Sequence, residues 1–566
     1  MIEAKTELRL RPPDQVMRLR RLGAFHQTRL SFLRAMLRWA KRERWTFARP
    51  VWRFDARGVG TAVYSVTTPE RQYSLVAFGH DLPDALRSDR VIAEAWDATF
   101  VLYDGVPDEA EIARLSENAP KQEAGRYQAT DLVLSRANRS VRLFEHVIER
   151  LAAGLQPDRS KIEDVGYLMR TTAVYGNGKF GLADRDLLAE RPEFRSAFRA
   201  EMLTVWLIRT FVLDLVEHMA RARSDGAVAI EPKLRRRFGV GNSTGLGMAP
   251  FLVRHPVLLD RWIAAREEAL AIVRALPAAT AETRPHFRDV LARARRSLGE
   301  WRTADEIQNR QIGDLLADLA RLETETARPA VLERLQPWDA LVRWGESNLT
   351  LEGQEYLVTL VLEPHGAEID FLADRMWADE GRTFRIEGVT RCGTLAQIIA
   401  RDYRWALDLD FARQEAQARF WYVSEEKLEP RLGERASEPG GALEHPLATA
   451  RDVAALQRDL AGVADRDETL AAFLLKYPEH RHAVRRVLIE SAHPYAEIRD
   501  NLIGAALRPI DLLRCKLAFF GATRFDPRSD RWLRISLFPG APFPHELQAE
   551  SEDDWIYAAF GEVGAC

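Results

Sequence analysis

The stretch Met202 to Val216 (MLTVWLIRTFVLDLV) places apolar residues on every face of a helix. Such a helix has to be enclosed by other elements, so the chain must build a core around it. With about fifteen residues, and with Arg209 and Asp214 inside it, the stretch is too short and too charged to cross a bilayer of roughly 30 Å. No membrane association is expected. The 566 residues, 46% hydrophobic, allow two to four domains of roughly 150 residues each and need no disulfide or metal staple.

Charge is balanced overall, 81 basic against 84 acidic residues, which excludes a wholly basic nucleic-acid coat and a wholly acidic disordered tail. The balance is local nowhere. Residues 1–50 hold thirteen Lys/Arg and four Asp/Glu, and the tail after Pro544 has six acids and no base. Val16, Leu19, Leu22, Phe25, Leu30, Leu33 and Leu37 recur at three to five residues, predicting amphipathic helix with Arg18, Arg21, Arg29, Arg34 and Arg38 available to its polar side. That side reads first as a solvated face docked on the body, and second as a surface for nucleic acid or an acidic partner. The acidic tail reads as a solubilising end, or as a partner for this segment. Cys392, Cys515 and Cys566 offer neither a disulfide framework nor a CxxC knuckle, and no secretory signal opens the chain, so a cytoplasmic setting is expected.

The predicted fold is α+β and predominantly α-helical, a central helical domain flanked by two smaller antiparallel-sheet-containing regions. Residues 1–50 form the basic helical segment. Residues 51–125 carry period-two strands such as Tyr73–Phe78 and Phe100–Tyr103, and then a helix over Glu109–Asn118. Residues 126–330 are predicted helical, starting with Ala129–Ala153. Residues 331–566 mix strands at Tyr356–Leu362, Thr383–Glu387 and Trp532–Leu537 with helices near 408–428, 450–462 and 480–506. Glu434–Glu444, around Pro439-Gly-Gly441, is a loop or lid candidate.

Two glycine-rich stretches carry the functional reading. In Arg170-Thr-Thr-Ala-Val-Tyr175-Gly-Asn177-Gly-Lys179-Phe-Gly181 the glycines let several amides turn to one point beside the Lys179 charge. The spacing is not that of a P-loop. In Gly239-Val-Gly241-Asn242-Ser243-Thr244-Gly245-Leu-Gly247-Met-Ala-Pro250 the polar run precedes apolar residues, and a helix starting near Pro250 would aim free amides at an anion. The third glycine of the dinucleotide fingerprint is replaced by Thr244, and the basic Arg235–Arg237 in front looks helical, so a Rossmann site is not expected. In both stretches the glycines also suit tight turns or close packing.

The order Gly241, Asn242, Ser243, Met248, Pro250, Arg254, His255, Pro256 resembles the mobile substrate loop of the aspartase and fumarase family over about sixteen residues. It needs an insertion, and the family's lysine is absent. The resemblance implies Ser243 as a general base, which requires a strongly positive surround.

Two further clusters stand out. Ser347–Glu355, with Glu352, suits a cap or turn first and substrate contact second. His493-Pro-Tyr495-Ala-Glu497-Ile-Arg499-Asp-Asn501 can wall an active site or close a polar network, with Glu497 and Asn501 on one helical face. There is no HExxH or GxSxG, and Glu479-His480-Arg-His482 points its imidazoles apart, so no metal site is assigned and the cofactor is unknown. The expected function is an enzyme of lyase or group-transfer type acting on a small or medium organic anion. Ser243, Tyr175, His493 and Lys179 are its catalytic candidates. Asn177, Gly241, Asn242, Thr244, Gly245, Arg170, Arg499, Asn501 and Glu352 are its binding candidates. The alternative is a non-enzymatic binding or assembly protein that contacts nucleic acid or an acidic partner through residues 1–50. A homo-oligomer is compatible with either.

Overall fold

The computed structural model describes residues 8–83, 96–120, 126–171, 188, 190–196, 198–242, 256–376, 384–412, 421–424, 430–432, 440–444, 448–463, 467–499, 512–529, 532–549, 553 and 555–559. The strands are β1 (Thr46–Phe54), β2 (Gly60–Thr67), β3 (Gln72–Gly79), β4 (Ala98–Asp104), β5 (Asp131–Arg139), β6 (Tyr167–Thr171), β7 (Gly239–Asn242), β8 (Trp421–Ser424), β9 (Pro430–Leu432), β10 (Gly440–Glu444), β11 (Arg524–Ser529) and β12 (Trp532–Leu537). Nine of them make one mixed sheet in the order β1-β2-β3-β4-β5-β6-β7-β12-β11, and β10-β8-β9 make a small second one. The fold is mixed α+β and rich in helix. Strands from the first half of the chain and from its last fifty residues share the large sheet. Five helices matter below: α1 (Phe32–Arg42), α2 (Arg199–Arg223), α3 (Pro256–Ala275), α4 (Leu351–Leu362) and α5 (Arg481–Ala492).

Helix α2 contains the stretch that is apolar on every face, and it lies across β3 to β7 with nearly all its residues buried. Phe211 meets Phe100 of the sheet at 5.4 Å between ring centroids, and Trp206 meets Phe47 at 5.2 Å. The two charges inside the stretch are both satisfied. Arg209, 1% exposed, donates to the carbonyls of Phe238, Ala541 and Arg236 at 2.6, 2.8 and 3.0 Å, and burial pushes its guanidinium down to about 9. It thereby ties the entry of β7 to the C-terminal segment. Asp214 accepts from Arg49, Tyr64 and Arg235 at 2.6–2.8 Å. No helix among the described residues is long and apolar enough to cross a membrane.

Several local expectations change. Residues 129–153 are a strand, β5, followed by a helix over Phe144–Ala152. An inner strand buried from Asp131 to Ala137 shows no alternation, so its pattern could not be separated from that of a buried helix. Tyr356–Leu362 (YLVTLVL) belongs to α4, not to a strand. Thr350 caps that helix by accepting from the Gly353 amide at 3.1 Å, so the capping role of this cluster is the one observed. Residues 384–387 are not a strand, Trp421–Ser424 is a strand inside the expected helix 408–428, and α5 stops at Ala492. The helix expected near 450–462 (Ala448–Ala461) and the strand Trp532–Leu537 form as anticipated, and Gly440–Glu444 of the lid candidate is β10.

Arg11, Arg21, Arg29, Arg34 and Arg38 turn inward, whereas Arg20, Arg42 and Arg44 are exposed. Arg34, fully buried, holds Glu363 at 2.7 and 2.8 Å and Asp553 at 2.9 Å. Arg38 also takes Asp553, at 2.6 Å, and Arg29 takes Asp370 at 2.7 and 3.0 Å. Asp553 is the described acid of the C-terminal tail that pairs with the basic segment. Deeper in, Arg11 grips Glu267 at 2.7 and 2.8 Å and Glu355 at 2.8 Å, while Arg266 takes both of those acids at 2.8 and 2.5 Å and Arg21 takes Glu355 at 2.5 Å. These pairs fasten the first forty residues to α3 and α4.

Candidate functional site

Strands β6 and β7 are parallel, with Tyr167 beside Gly239 and Arg170 beside Gly241; every other strand pairing among the described residues is antiparallel. The chain passes from β6 to β7 through α2, a strand–helix–strand crossover. Both glycine-rich stretches leave this pair at its C-terminal ends, after Thr171 and after Asn242. Asn242, fully buried, joins those ends by donating from Nδ2 to the Thr171 carbonyl at 3.2 Å. The Thr171 hydroxyl in turn meets the Ser135 hydroxyl of β5. In parallel sheets ligands settle outside the carboxyl ends of the strands, because helix N-termini and free loop amides collect there.

Beyond the two stretches, the starts of α2 and α3 meet. Phe198, the residue before α2, packs against Trp262 in the second turn of α3, with ring centroids 5.8 Å apart. The chain before α2 is pinned at the same edge of the sheet. Glu193 accepts from Tyr73 and Thr68 at 2.8 and 2.7 Å, and Arg191 holds Asp104 at 2.7 Å.

His493 stands at the opening turns of α3. Its Nδ1 lies 3.2 Å from Asp260 Oδ2, and the other oxygen of Asp260 accepts from the Tyr495 amide at 2.9 Å. A carboxylate fixed by a backbone amide and facing Nδ1 orients the ring. Asp260 is the partner that residue spacing did not disclose, since it lies 233 positions before His493. The only available signal was an acid early in the helix that follows the second glycine stretch.

The other expected residues divide. Gly241, buried in β7, lets the Tyr167 ring close on the backbone, for a Cβ there would sit 2.6 Å from the ring. Arg170 is half-buried on β6 beside it. Glu352 pairs with His26 at 2.9 Å and with Arg514 in the first turn of α4. Arg499 is buried on Glu490 at 2.7 Å and also pairs with Asp14. Glu497 accepts from Arg486, and the Tyr495 hydroxyl donates to the Arg11 carbonyl at 2.6 Å. Residues 493–499 are turn and bend, so Glu497 does not stand on a helix. Tyr495, Glu497 and Arg499 are thus each tied to a partner within the fold. Tyr175, Asn177, Lys179, Ser243, Thr244, Gly245 and Asn501 lie outside the described residues.

Two other features can hold ligands. Asp459, Glu479 and His480 place one ligand atom each within 4.8 Å of one another, with His480 already 2.6 Å from Asp459. A cavity of about 570 Å³ is lined by Arg29, Arg38, Lys41, Arg42 and Arg44, with Trp555 also in its wall. No family model matches this chain, no curated protein matches it, and no solved structure matches it.

Proposed function

We propose that the protein is an enzyme acting on a small or medium organic anion, a carboxylate or phosphate, by lyase or group-transfer chemistry. The observation that supports this is the departure of both glycine-rich stretches from the C-terminal ends of one parallel strand pair. In this reading Lys179 and amides of the second stretch hold the anion, and Asn177, Thr244 and Gly245 complete the cradle. Proton transfer falls to Ser243, Tyr175 and His493, with Asp260 orienting the ring of His493.

The test is consumption of a panel of di- and tricarboxylates and phosphorylated acids by the full chain, followed by proton NMR. Lys179→Ala and Ser243→Ala should each lower turnover by about a hundredfold or more, the usual worth of a general acid–base group, without changing the melting temperature. Unchanged turnover in both ends the reading.

The alternative, a binding or assembly protein using residues 1–50, draws on Lys41, Arg42 and Arg44 at the 570 Å³ cavity. Arg42 is 58% exposed, whereas Arg29 and Arg34 are spent on internal carboxylates. That alternative requires affinity for RNA or DNA that falls steeply with salt. No retention on a filter at low salt removes it.

A further inference from the structure

At the other end of β6, where Gly166 precedes the strand and Ser536 of β12 faces it, a cleft of about 90 Å³ opens. Arg524, Arg237, Arg302 and Arg534 line it together with Glu163, Asp164 and Asp526. Behind it lies a recess of about 20 Å³ walled by His26, Gln27, Tyr356 and Thr359. Cleft and recess share Ser297, Trp301, Thr523, Arg524 and Ile556 as a common wall.

The recess contains polar groups with no hydrogen-bond partner among the described residues. Gln27 is 4% exposed and neither its amide nitrogen nor its amide oxygen is hydrogen-bonded; Thr359 is 1% exposed and its hydroxyl is likewise unbonded. Buried polar atoms in folded proteins are nearly always satisfied, and leaving one unsatisfied is destabilising. Two such side chains in one recess therefore point to something that occupies it. Arg524 stands where recess and cleft meet. Its side chain is 25% exposed; it donates to the Ser297 carbonyl at 3.1 Å, and its nearest carboxylate, Glu300, is 3.8 Å away. Burial lowers its pKa, with Glu300 offsetting part of the effect. A guanidinium so weakly compensated gains from an added anion.

Size narrows the choice. The recess admits about one water-sized body, and the cleft is smaller than the roughly 150 Å³ cavity that holds benzene. We propose that this cleft binds a small oxyanion, inorganic phosphate or the carboxylate of a two- to four-carbon acid, on Arg524, with one oxygen reaching Gln27 and Thr359 in the recess. The site is separate from the glycine-rich stretches and does not depend on the function proposed for them.

The experiment is calorimetric titration of the full chain with inorganic phosphate and, separately, with oxalate. Saturable binding of either that Arg524→Gln weakens and Lys179→Ala does not supports the site, and which one binds identifies the head group. Arg524→Gln should weaken that binding about tenfold to a hundredfold, as expected for a hydrogen bond to a charged group. Thr359→Val and Gln27→Leu should each weaken it about fivefold, while the unliganded melting temperature holds or rises because an unsatisfied group is gone. Lys179→Ala should leave it unchanged. No saturable binding of either anion overturns the proposal. So does binding that survives both Thr359→Val and Gln27→Leu at full affinity, or binding that is lost in Lys179→Ala but kept in Arg524→Gln. The two recess variants decide the matter if Arg524→Gln does not fold.

Discussion

Glu355→Gln will cost about 3–5 kcal/mol of unfolding free energy in urea, close to the whole stability of many domains. Glu355 is fully buried and accepts from three guanidiniums, those of Arg11, Arg21 and Arg266. Burial alone would raise its carboxyl, but Arg11 and Arg266 outweigh burial and hold it far below the ordinary range. Glutamine keeps the shape and removes the charge, so Arg11 and Arg266 are left sharing Glu267 and Arg21 is left on the Gln354 amide oxygen. Arg266 is already stacked over Phe25, 4.0 Å from the ring centroid, and has no route to water. Adding Arg266→Gln to Glu355→Gln should recover part of the loss, because the two changes remove partners of one interaction and so cannot add. A loss below about 1 kcal/mol for Glu355→Gln would show that the cluster relaxes or admits water.

The same cluster shows what residue order can and cannot disclose. The excess of arginine in residues 1–50 was visible, and so was the apolar period that makes α1. The destination of the arginines was not, because the acids that receive them lie at 267, 355, 363, 370 and 553, hundreds of positions away. A solvated basic face and a buried ionic seam have the same local composition. Strands β3 and β4 were legible from Tyr73–Phe78 and Phe100–Tyr103, short runs rich in aromatic and aliphatic residues. Strand β5 was not, since no Gly or Pro separates it from the helix over Phe144–Ala152, and YLVTLVL in α4 was misread because a short β-branched run enclosed on all sides carries no period.

The glycine-rich stretches were conspicuous, but the parallel pair beneath them was hidden. Gly-Val-Gly-Asn is four residues with two glycines, and it extends only because Gly241 lets Tyr167 pack flat against it. His493 was singled out together with its polar neighbours, most of which serve structure. Gln27, Thr359 and Arg524 belong to no motif, and only their convergence in space sets them apart.

Acidification should unfold the protein in a window set by the seam between the N-terminal segment and α4. Burial would raise the Glu352 carboxyl, but the Arg514 guanidinium and His26 outweigh burial and hold it at about 2 against an ordinary 4.5. A carboxyl held down in the fold binds fewer protons there than in the unfolded chain. Its stabilisation is therefore complete above about 4.5 and is lost as pH falls towards 2, roughly 3 kcal/mol for this group alone. Glu355 adds in the same direction and over a range that extends lower. His26 starts the decline earlier. Burial pushes its imidazole below the ordinary 6.5, so protonation favours the unfolded chain as soon as pH drops beneath that value. Urea midpoints should thus fall gently from pH 6.5 to 4.5 and steeply from 4.5 to 2. Arg514→Met removes the larger of the two attractions on Glu352, so the variant should start from a lower midpoint at pH 7 and lose less between 4.5 and 2. A midpoint that stays level from pH 5 to 2.5, or an Arg514→Met profile parallel to that of the parent, would mean that Glu352 is not ionised against Arg514 in the fold.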